Sequence, residues 1–443
     1  MDIESRVNGA ARARALLVLP LFTSNIGSGF VSHRQDEALG LAEAIDLDVR
    51  KLENAKLSRI RPATLFGKGK TEAISAVVRA EEIEVSIIDY PLTPIQQRNL
   101  ELAWCCKVLD RTALILEIFG ARARTYEGRL QVELAALQYQ RSRLVRSWTH
   151  LERQRGGYGF IGGPGESQLE IDRRLTDQRI TKLESEIRNI RKTRILHRSS
   201  RTRSSLPTIA LVGYTNAGKS TLFNRLTQSS VVAKNMLFAT LDPTMRRMSL
   251  PSGQEVILCD TVGFISDLPT ELVASFQATL EEIVEAELIL HVQDTSVDET
   301  EEQRRTVEMI IESIAGNHPV RMIDVLNKID LAEDDHYSYP ILTSRSGSIC
   351  VSAVTGEGIS ELINLLDTEF AAQREVVVFD IPLHNGAALA WLYKNGEVIS
   401  AEAQDMSSIV KVALPSPDIG RFARRFSLAP LDNPQNKRSQ LRP

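Results

Sequence analysis

The run Gly213-Tyr214-Thr215-Asn216-Ala217-Gly218-Lys219-Ser220 stands directly after the apolar run Thr208-Ile209-Ala210-Leu211-Val212, and no other feature constrains the chain more. A strand that ends in a glycine-flanked loop and opens a helix gathers backbone N–H groups and the positive end of the helix dipole around one point. A phosphate group satisfies that concentration of donors. Lys219 can reach the β- and γ-phosphates of a nucleotide, and Ser220, followed by Thr221, can ligate magnesium. The unit predicts a parallel α/β sheet with the loop at a strand end.

Four further motifs follow in register. Phe238-Ala239-Thr240-Leu241-Asp242 is a candidate mobile loop whose Thr240 hydroxyl can complete a magnesium shell. Asp260-Thr261-Val262-Gly263 follows the strand-like Val256-Ile257-Leu258-Cys259. There Asp260 can hold magnesium through water, and the Gly263 N–H can sense a γ-phosphate. Asn327-Lys328-Ile329-Asp330 closes the strand Ile323-Asp324-Val325-Leu326. The Asp330 carboxylate can accept from guanine N1–H and the 2-amino group, which adenine cannot offer. Ser352-Ala353-Val354 follows Ile349-Cys350-Val351, and its backbone can meet the guanine carbonyl. The expected ligands are GTP and GDP with Mg2+. Ser220 and Thr240 are the candidate metal ligands, and Lys219, Thr240 and Gly263 the candidate catalytic set.

One position departs from the usual arrangement. Many GTPases carry Gln after the third motif's glycine to orient the attacking water, and here Phe264 stands there. An apolar ring cannot polarise water, so another group supplies that role or the intrinsic rate is very low.

At 443 residues, several domains can each bury a core. Four cysteines (Cys105, Cys106, Cys259, Cys350) show no metal-ligand spacing, and the last two fall on strands expected to be buried. They read as reduced core residues of a cytosolic protein. The early apolar run from Ala15 to Phe22 is broken by Pro20 and too short to span a bilayer. The net charge of −4 hides a segregation, because residues 121–203 hold 19 Lys/Arg against 9 Asp/Glu and the remainder holds 34 against 48. A basic segment in an otherwise acidic chain points to a polyanion partner, and a solvated basic helix is the alternative.

Five segments are expected. An N-terminal α/β domain over 1–120 alternates strands Leu16–Leu21, Val85–Tyr90 and Lys107–Leu109 with helices Asp36–Ile45, Thr71–Ala80 and Pro94–Ala103. Within it, Phe66-Gly67-Lys68-Gly69-Lys70 reads as a glycine turn with solvated lysines, with phosphate binding at a helix start as the alternative. Residues 121–203 form a basic helical hairpin. Leu130, Leu134, Leu137, Leu144, Trp148 and Leu151 fall on a heptad track interrupted by Arg141, and Ile180, Leu183, Ile187 and Ile190 make a second one. A glycine-rich turn, Gly156-Gly157-Tyr158-Gly159-Phe160-Ile161-Gly162-Gly163-Pro164-Gly165-Glu166, would make this an antiparallel coiled coil with arms of roughly 45 Å. The nucleotide motifs lie in a Ras-like P-loop domain over 204–373, with helices near Thr270–Glu285, Thr300–Ala315 and Ser360–Phe370. A small α+β domain over 374–429 follows: strand Val376–Ile381, helix Gly386–Tyr393, strands Val398–Glu402 and Ile409–Leu414, and helix Pro417–Phe426. The tail, 430–443, is polar and expected to be disordered.

The combination resembles the HflX family of ribosome-associated GTPases. The carriers are Gly163-Pro164-Gly165-Glu166-Ser167-Gln168-Leu169-Glu170-Ile171-Asp172-Arg173-Arg174, Phe66-Gly67-Lys68-Gly69-Lys70 and Ala239-Thr240-Leu241-Asp242-Pro243-Thr244. The turn before Pro164 differs from the usual family spacing. The resemblance implies a cytoplasmic monomer, with a fraction at the membrane periphery, that binds the large ribosomal subunit and its RNA. It implies that the GTP state splits or rescues stalled or stressed ribosomes, with hydrolysis stimulated there. ATP use by the N-terminal domain is also implied, but no second nucleotide motif set supports it. By similarity to other GTPase families lacking the glutamine, Asn216 is a candidate potassium ligand; its alternative is a purely structural role in the loop. Two other functions share these motifs: a GTPase of ribosome assembly or tRNA modification, and an ATP-driven RNA-remodelling enzyme regulated by its GTPase domain.

Overall fold

The computed structural model describes residues 12–22, 28–154, 168–202, 206–229, 237–238, 240, 243–266, 283–284, 286–297, 300–315, 321–331, 348–371, 374–404 and 406–431. The N-terminal layer runs β1 (Arg14–Phe22), α1 (Ser28–Glu43), β2 (Asp48–Leu57), α2 (Lys68–Ala80), β3 (Val85–Ile88), α3 (Pro94–Trp104), β4 (Lys107–Asp110) and α4 (Arg111–Arg122). Its four strands are parallel in the order β2-β1-β3-β4. Alternate residues of β1 feed two cores, as the strand period requires. Leu16 and Val18 pack with Ile74, Leu100 and Trp104 under α2 and α3. Ala15, Leu17 and Leu19 pack with Leu41, Ile115 and Phe119 under α1 and α4.

Two elements here escape sequence reading. The strand β2 reads Asp-Val-Arg-Lys-Leu-Glu-Asn-Ala-Lys-Leu, too charged to resemble a strand, but an edge position leaves one side in water. Its Glu53 takes Lys70 at 2.6 Å, so that lysine of the glycine turn is tied to the sheet. The helix α4 starts at the residue after β4, where the Asp110 side chain accepts from the Ala113 N–H at 2.8 Å and caps it.

Two long helices follow, α5 (Tyr126–Gln154) and α6 (Gln168–Thr202). The pairs Tyr126–Glu186, Glu133–Arg179 and Arg141–Asp177 make them antiparallel, since one partner's number falls as the other's rises. Leu130, Leu134, Ile180 and Leu183 form the buried seam, flanked by Leu137, Ile187 and Ile190, and Arg141 is accommodated at its interruption by Asp177. The side chains of Leu144, Trp148 and Leu151, and the glycine-rich turn, lie outside the described residues. The first turns of α5 do not leave the globular body: Val132 and Ala135 are buried in the N-terminal core, and Tyr139 and Arg143 bond Asp110.

The central sheet comprises β5 (Thr208–Gly213), β6 (Thr244–Ser249), β7 (Glu255–Asp260), β8 (Leu288–Asp294), β9 (Met322–Asn327) and β10 (Ser348–Cys350), in the order β10-β9-β8-β5-β7-β6. All pairings are parallel except the antiparallel edge β6–β7. Sequence reading passes over β8, although every one of its residues is buried. Helices α7 (Lys219–Thr227), α8 (Thr300–Ala315) and α9 (Ile359–Ala371) belong to this unit. The helix expected over Thr270–Glu285 lies outside the described residues except for 283–284.

The C-terminal unit is β11 (Arg374–Pro382), α10 (Gly386–Asn395), β12 (Glu397–Ala403), β13 (Ser407–Pro415) and α11 (Ser416–Phe426), with an antiparallel sheet β11-β13-β12. Phe379 and Phe422 meet in its core at 4.4 Å between ring centroids. Leu431, placed in the tail by sequence, donates its N–H to the Val378 carbonyl at 2.7 Å, and the rest of the tail lies outside the described residues. All four cysteines are free; Cys259 is buried, but Cys350 is only half-buried and Cys105 is exposed. Among the described residues no helix is long and apolar enough to cross a membrane.

Candidate nucleotide site and its N-terminal contact

The loop between β5 and α7 is shaped by close approach. Gly213 and Gly218 have φ of 153° and 95°, and a Cβ at either would collide with Val292 O or Asn327 Nδ2. Asn216 is exposed and left-handed at φ 62°, a conformation asparagine tolerates. Phe264 holds the loop by backbone alone: its N–H donates to Gly213 O at 3.1 Å, and its carbonyl accepts from Thr215 N–H at 2.7 Å. Its ring faces away, packed with Val212, Ile283, Ile289, Val307 and Ile311. The position that carries a water-orienting glutamine elsewhere is here a core position.

Lys219 is buried, and its Nζ donates to Gly213 O at 3.0 Å and Tyr214 O at 2.7 Å. Burial lowers its pKa to about 8, with the nearby Asp260 carboxylate opposing the shift. Asp260 moves upward through burial, opposed by Ser220, Lys219 and Thr240. Ser220 Oγ and Thr240 Oγ1 both donate to Asp260 Oδ2, at 2.7 and 3.0 Å, and lie 2.8 Å from each other. Among the described residues, the Asp260 Oδ1 atom is buried with no hydrogen-bond partner, as is Thr215 Oγ1. Two hydroxyls and a carboxylate with an orphaned oxygen are hard donors of the kind magnesium takes, so this trio fits the ion. The Thr261 hydroxyl turns inward and donates to Leu211 O at 2.6 Å, tying the third motif to β5.

At the other end, the fourth and fifth motifs stand side by side. Asn327 Nδ2 donates to Ala217 O at 2.8 Å and its Oδ1 accepts from Ala353 N–H at 3.0 Å, linking phosphate loop, β9 and the segment after β10. Lys328, left-handed at φ 66°, pairs with Asp294 at 2.6 Å. Ile329 and Asp330 lie in a single 3-10 turn, and Ser352 Oγ donates to Asp330 Oδ1 at 2.5 Å. Val354 points into solvent at 71% exposure. Ala239, Leu241 and Asp242 lie outside the described residues, so of the second motif only Phe238 and Thr240 are placed.

Sequence reading misses where the loop's outer side chains go. The Tyr214 hydroxyl leaves the phosphate cradle, donates to Glu37 of α1, and accepts from Ser266 N–H at 2.8 Å. Burial, then the adjacent Glu37 charge, pushes the phenol pKa up. Arg111, also buried, takes Glu37 and Asp89 (2.5 Å) and donates to Ser266 O at 2.8 Å. Burial works against its charge, but the two carboxylates outweigh it and its pKa rises. Around this polar knot, Phe238 meets Phe119 edge-on at 4.7 Å, Leu237 abuts Gly40, and Val262 and Ile265 join the core beneath α1 and α4. Residues from the phosphate loop and from the second and third motifs therefore sit in the N-terminal domain's own core. No local pattern signals Glu37, Asp89 or Arg111.

A parallel sheet, a strand–loop–helix cradle and an Asn-Lys-x-Asp turn locked to it define a P-loop GTPase. Four family models match: "GTP-binding GTPase N-terminal" over residues 32–120, "GTP-binding GTPase Middle Region" over 122–201, "50S ribosome-binding GTPase" over 208–328 and "HflX C-terminal domain" over 342–436. A GTPase HflX of Magnetococcus marinus is 47% identical over 86% of this chain and 88% of its own. One from Escherichia coli is 43% identical over 82% and 85%, and one from Chlamydia pneumoniae 38% identical over 90% and 85%. The chain belongs to the HflX family of GTPases, and its reaction is the hydrolysis of GTP.

Proposed function

We propose that this GTPase binds the large ribosomal subunit through its helical pair and, in the GTP state, splits or rescues stalled ribosomes. Lys219 and the backbone of Gly213–Ser220, with Thr221 behind, take the phosphates. The base lies against Asn327–Asp330 and Ser352–Val354. Ser220 and Thr240 hold magnesium directly and Asp260 through water; the ion neutralises charge on the phosphates. Asn216, exposed at the loop's crown, takes potassium. Gly263 and Thr240 read the γ-phosphate.

One observation supports this reading most: the nucleotide-sensing segments and the helical pair share the N-terminal core. Phe238, Tyr214 and Ile265 are packed there, and so are Val132 and Ala135 of α5. A change in loop order at the nucleotide therefore bears on the seating of α5 and α6. The helices form a coiled-coil hairpin whose positive charge is concentrated at one end, with seven Lys/Arg and no acidic residue over 188–203. That charge suits RNA phosphates. Tyr158 and Phe160, at the expected turn, suit stacking on unpaired bases. Domain boundaries near Gly120, Arg203, Gln373 and Pro430 accompany this reading, with the first turns of α5 serving both the hairpin and the N-terminal core. The protein acts as a cytoplasmic monomer, slow alone and stimulated by ribosomes.

Cosedimentation with large subunits, in GDP or a non-hydrolysable GTP analogue, tests it. Replacing all of 121–203 would strip the N-terminal core of Val132 and Ala135, so the change is confined to residues 146–170. That variant should keep GTP affinity and lose splitting, and neutralising Arg188, Arg191, Lys192 and Arg194 should flatten the salt dependence of binding. Splitting at the wild-type rate by both variants would exclude the hairpin from the function.

A further inference from the structure

The ring of Phe264 lies in the core, so the group that orients the attacking water comes from elsewhere in the site. Thr215 is the candidate the geometry offers. It lies in the phosphate loop, only 7% exposed, and its Oγ1 is buried without a hydrogen-bond partner among the described residues. A buried hydroxyl left unpaired is a standing cost to the fold, and such a group calls for a partner, which in a phosphate loop can be a water or a bound ligand. Its backbone N–H is bonded to the Phe264 carbonyl, which fixes the Cβ that carries the hydroxyl. A Cβ built on Gly263 would meet the Thr215 methyl, Cγ2, at 2.9 Å and Lys219 Nζ at 3.1 Å, so the Thr215 side chain stands beside the lysine against the glycine of the third motif, with the hydroxyl on the same Cβ as that methyl.

We propose that the Thr215 hydroxyl positions the nucleophilic water of GTP hydrolysis, in place of the side chain that Phe264 lacks. The proposal rests on the phosphate-site assignment above. The hydroxyl oxygen accepts a hydrogen bond from the water, and its proton is donated to an oxygen of the γ-phosphate. The water oxygen forms the new bond to the γ-phosphorus as the bond to the β–γ bridging oxygen breaks. GDP leaves with that electron pair, and the water's proton passes to the transferred phosphate. Thr215 begins and ends as a neutral hydroxyl, so no side-chain base is required. A group that aligns the nucleophile and donates to developing charge acts mainly on kcat, because the nucleotide binds through the loop backbone and Lys219 in ground and transition states alike.

Valine keeps the branched shape of Thr215 and removes only the hydroxyl, while serine keeps the hydroxyl and removes the methyl. In the full-length protein with magnesium, single-turnover hydrolysis by Thr215→Val should fall about 100-fold. Its affinities for GDP and a non-hydrolysable GTP analogue should stay within about threefold, and Thr215→Ser should restore most of the rate. The melting temperature of nucleotide-free Thr215→Val should equal or exceed wild type, since an unpaired buried hydroxyl has gone; a structural role predicts a loss. Wild-type turnover by Thr215→Val would overturn the proposal, as would a loss of rate matched by an equal loss of GDP affinity. Lys219→Ala, run alongside, should lose nucleotide. If it turns over like wild type, the phosphate-site assignment fails, and the proposal with it.

Discussion

The hydroxyl of Tyr214 donates to the carboxylate of Glu37, a residue 177 positions earlier in the chain. The same oxygen accepts the Ser266 N–H, so one phenol ties the phosphate loop, the segment after the third motif and α1 together. Tyr214→Phe keeps the ring that packs beside His33 and in the core, but leaves the Ser266 N–H without its acceptor and Glu37, among the described residues, with Arg111 alone. Loss of stability of about 1–3 kcal/mol is expected. Urea unfolding checks it, and GTP affinity should survive because the loop's backbone is untouched. Unchanged stability would mean that the contact is not formed in solution.

The same phenol gives the protein an alkaline signature. Its pKa lies above the ordinary value of 10.0 because it is buried and faces Glu37. Below pH 10 both folded and unfolded chains hold the proton, and Tyr214 contributes no pH dependence. Above pH 10 the unfolded chain releases it while the folded chain keeps it, so the unfolded state binds fewer protons and stability falls. The slope from this one group approaches about 1.4 kcal/mol per pH unit. Unfolding measured between pH 9 and 11 should show a shallower decline for Tyr214→Phe than for wild type. Parallel curves would argue against the buried phenol.

Phe238 and Phe119 make an edge-on ring pair between the second nucleotide motif and α4. Truncating either buried ring to alanine should cost about 3–5 kcal/mol. The double mutant should recover about 0.5–1.5 kcal/mol relative to the sum, the coupling expected of an aromatic pair. Strict additivity in denaturant titrations would place the two rings in separate environments.

How much of this was readable in advance depends on how far apart the interacting residues are. The phosphate loop, the Asn-Lys-x-Asp turn and the elements of the C-terminal unit follow from spacing within a few residues, and each lies within a few residues of its expected bounds. The charged strand β2 was hidden because an edge strand needs only one apolar face. The helix α4 was hidden because Asp110 ends a strand and caps a helix with no intervening turn. The Glu37–Arg111–Tyr214 knot had no signal at all, since its members come from three distant segments and each is unremarkable beside its neighbours. Phe264 was legible as a departure from a motif, but only the fold shows that its side chain faces the core.

The end of the site proposed for the base makes the sharpest demand on chemistry. Asp330 is held by Ser352, whose hydroxyl donates to Oδ1 at 2.5 Å, and both residues are locked to the loop through Asn327. A carboxylate so oriented offers two acceptors to guanine N1–H and the 2-amino group. Asparagine at this position would present one acceptor and one amide donor, which clashes with the amino group but matches the carbonyl that xanthine carries there. Asp330→Asn should therefore lose GTP affinity by roughly 10⁴–10⁵ and gain affinity for xanthosine triphosphate. Ser352→Ala should weaken GTP binding more modestly, by about 10-fold, the worth of one hydrogen bond to a charged group. Gain of xanthosine triphosphate binding shows that the mutant site is folded, so loss of GTP cannot be attributed to collapse. Equal GTP affinity in wild type and Asp330→Asn, measured by fluorescent-nucleotide titration, would remove Asp330 from base recognition.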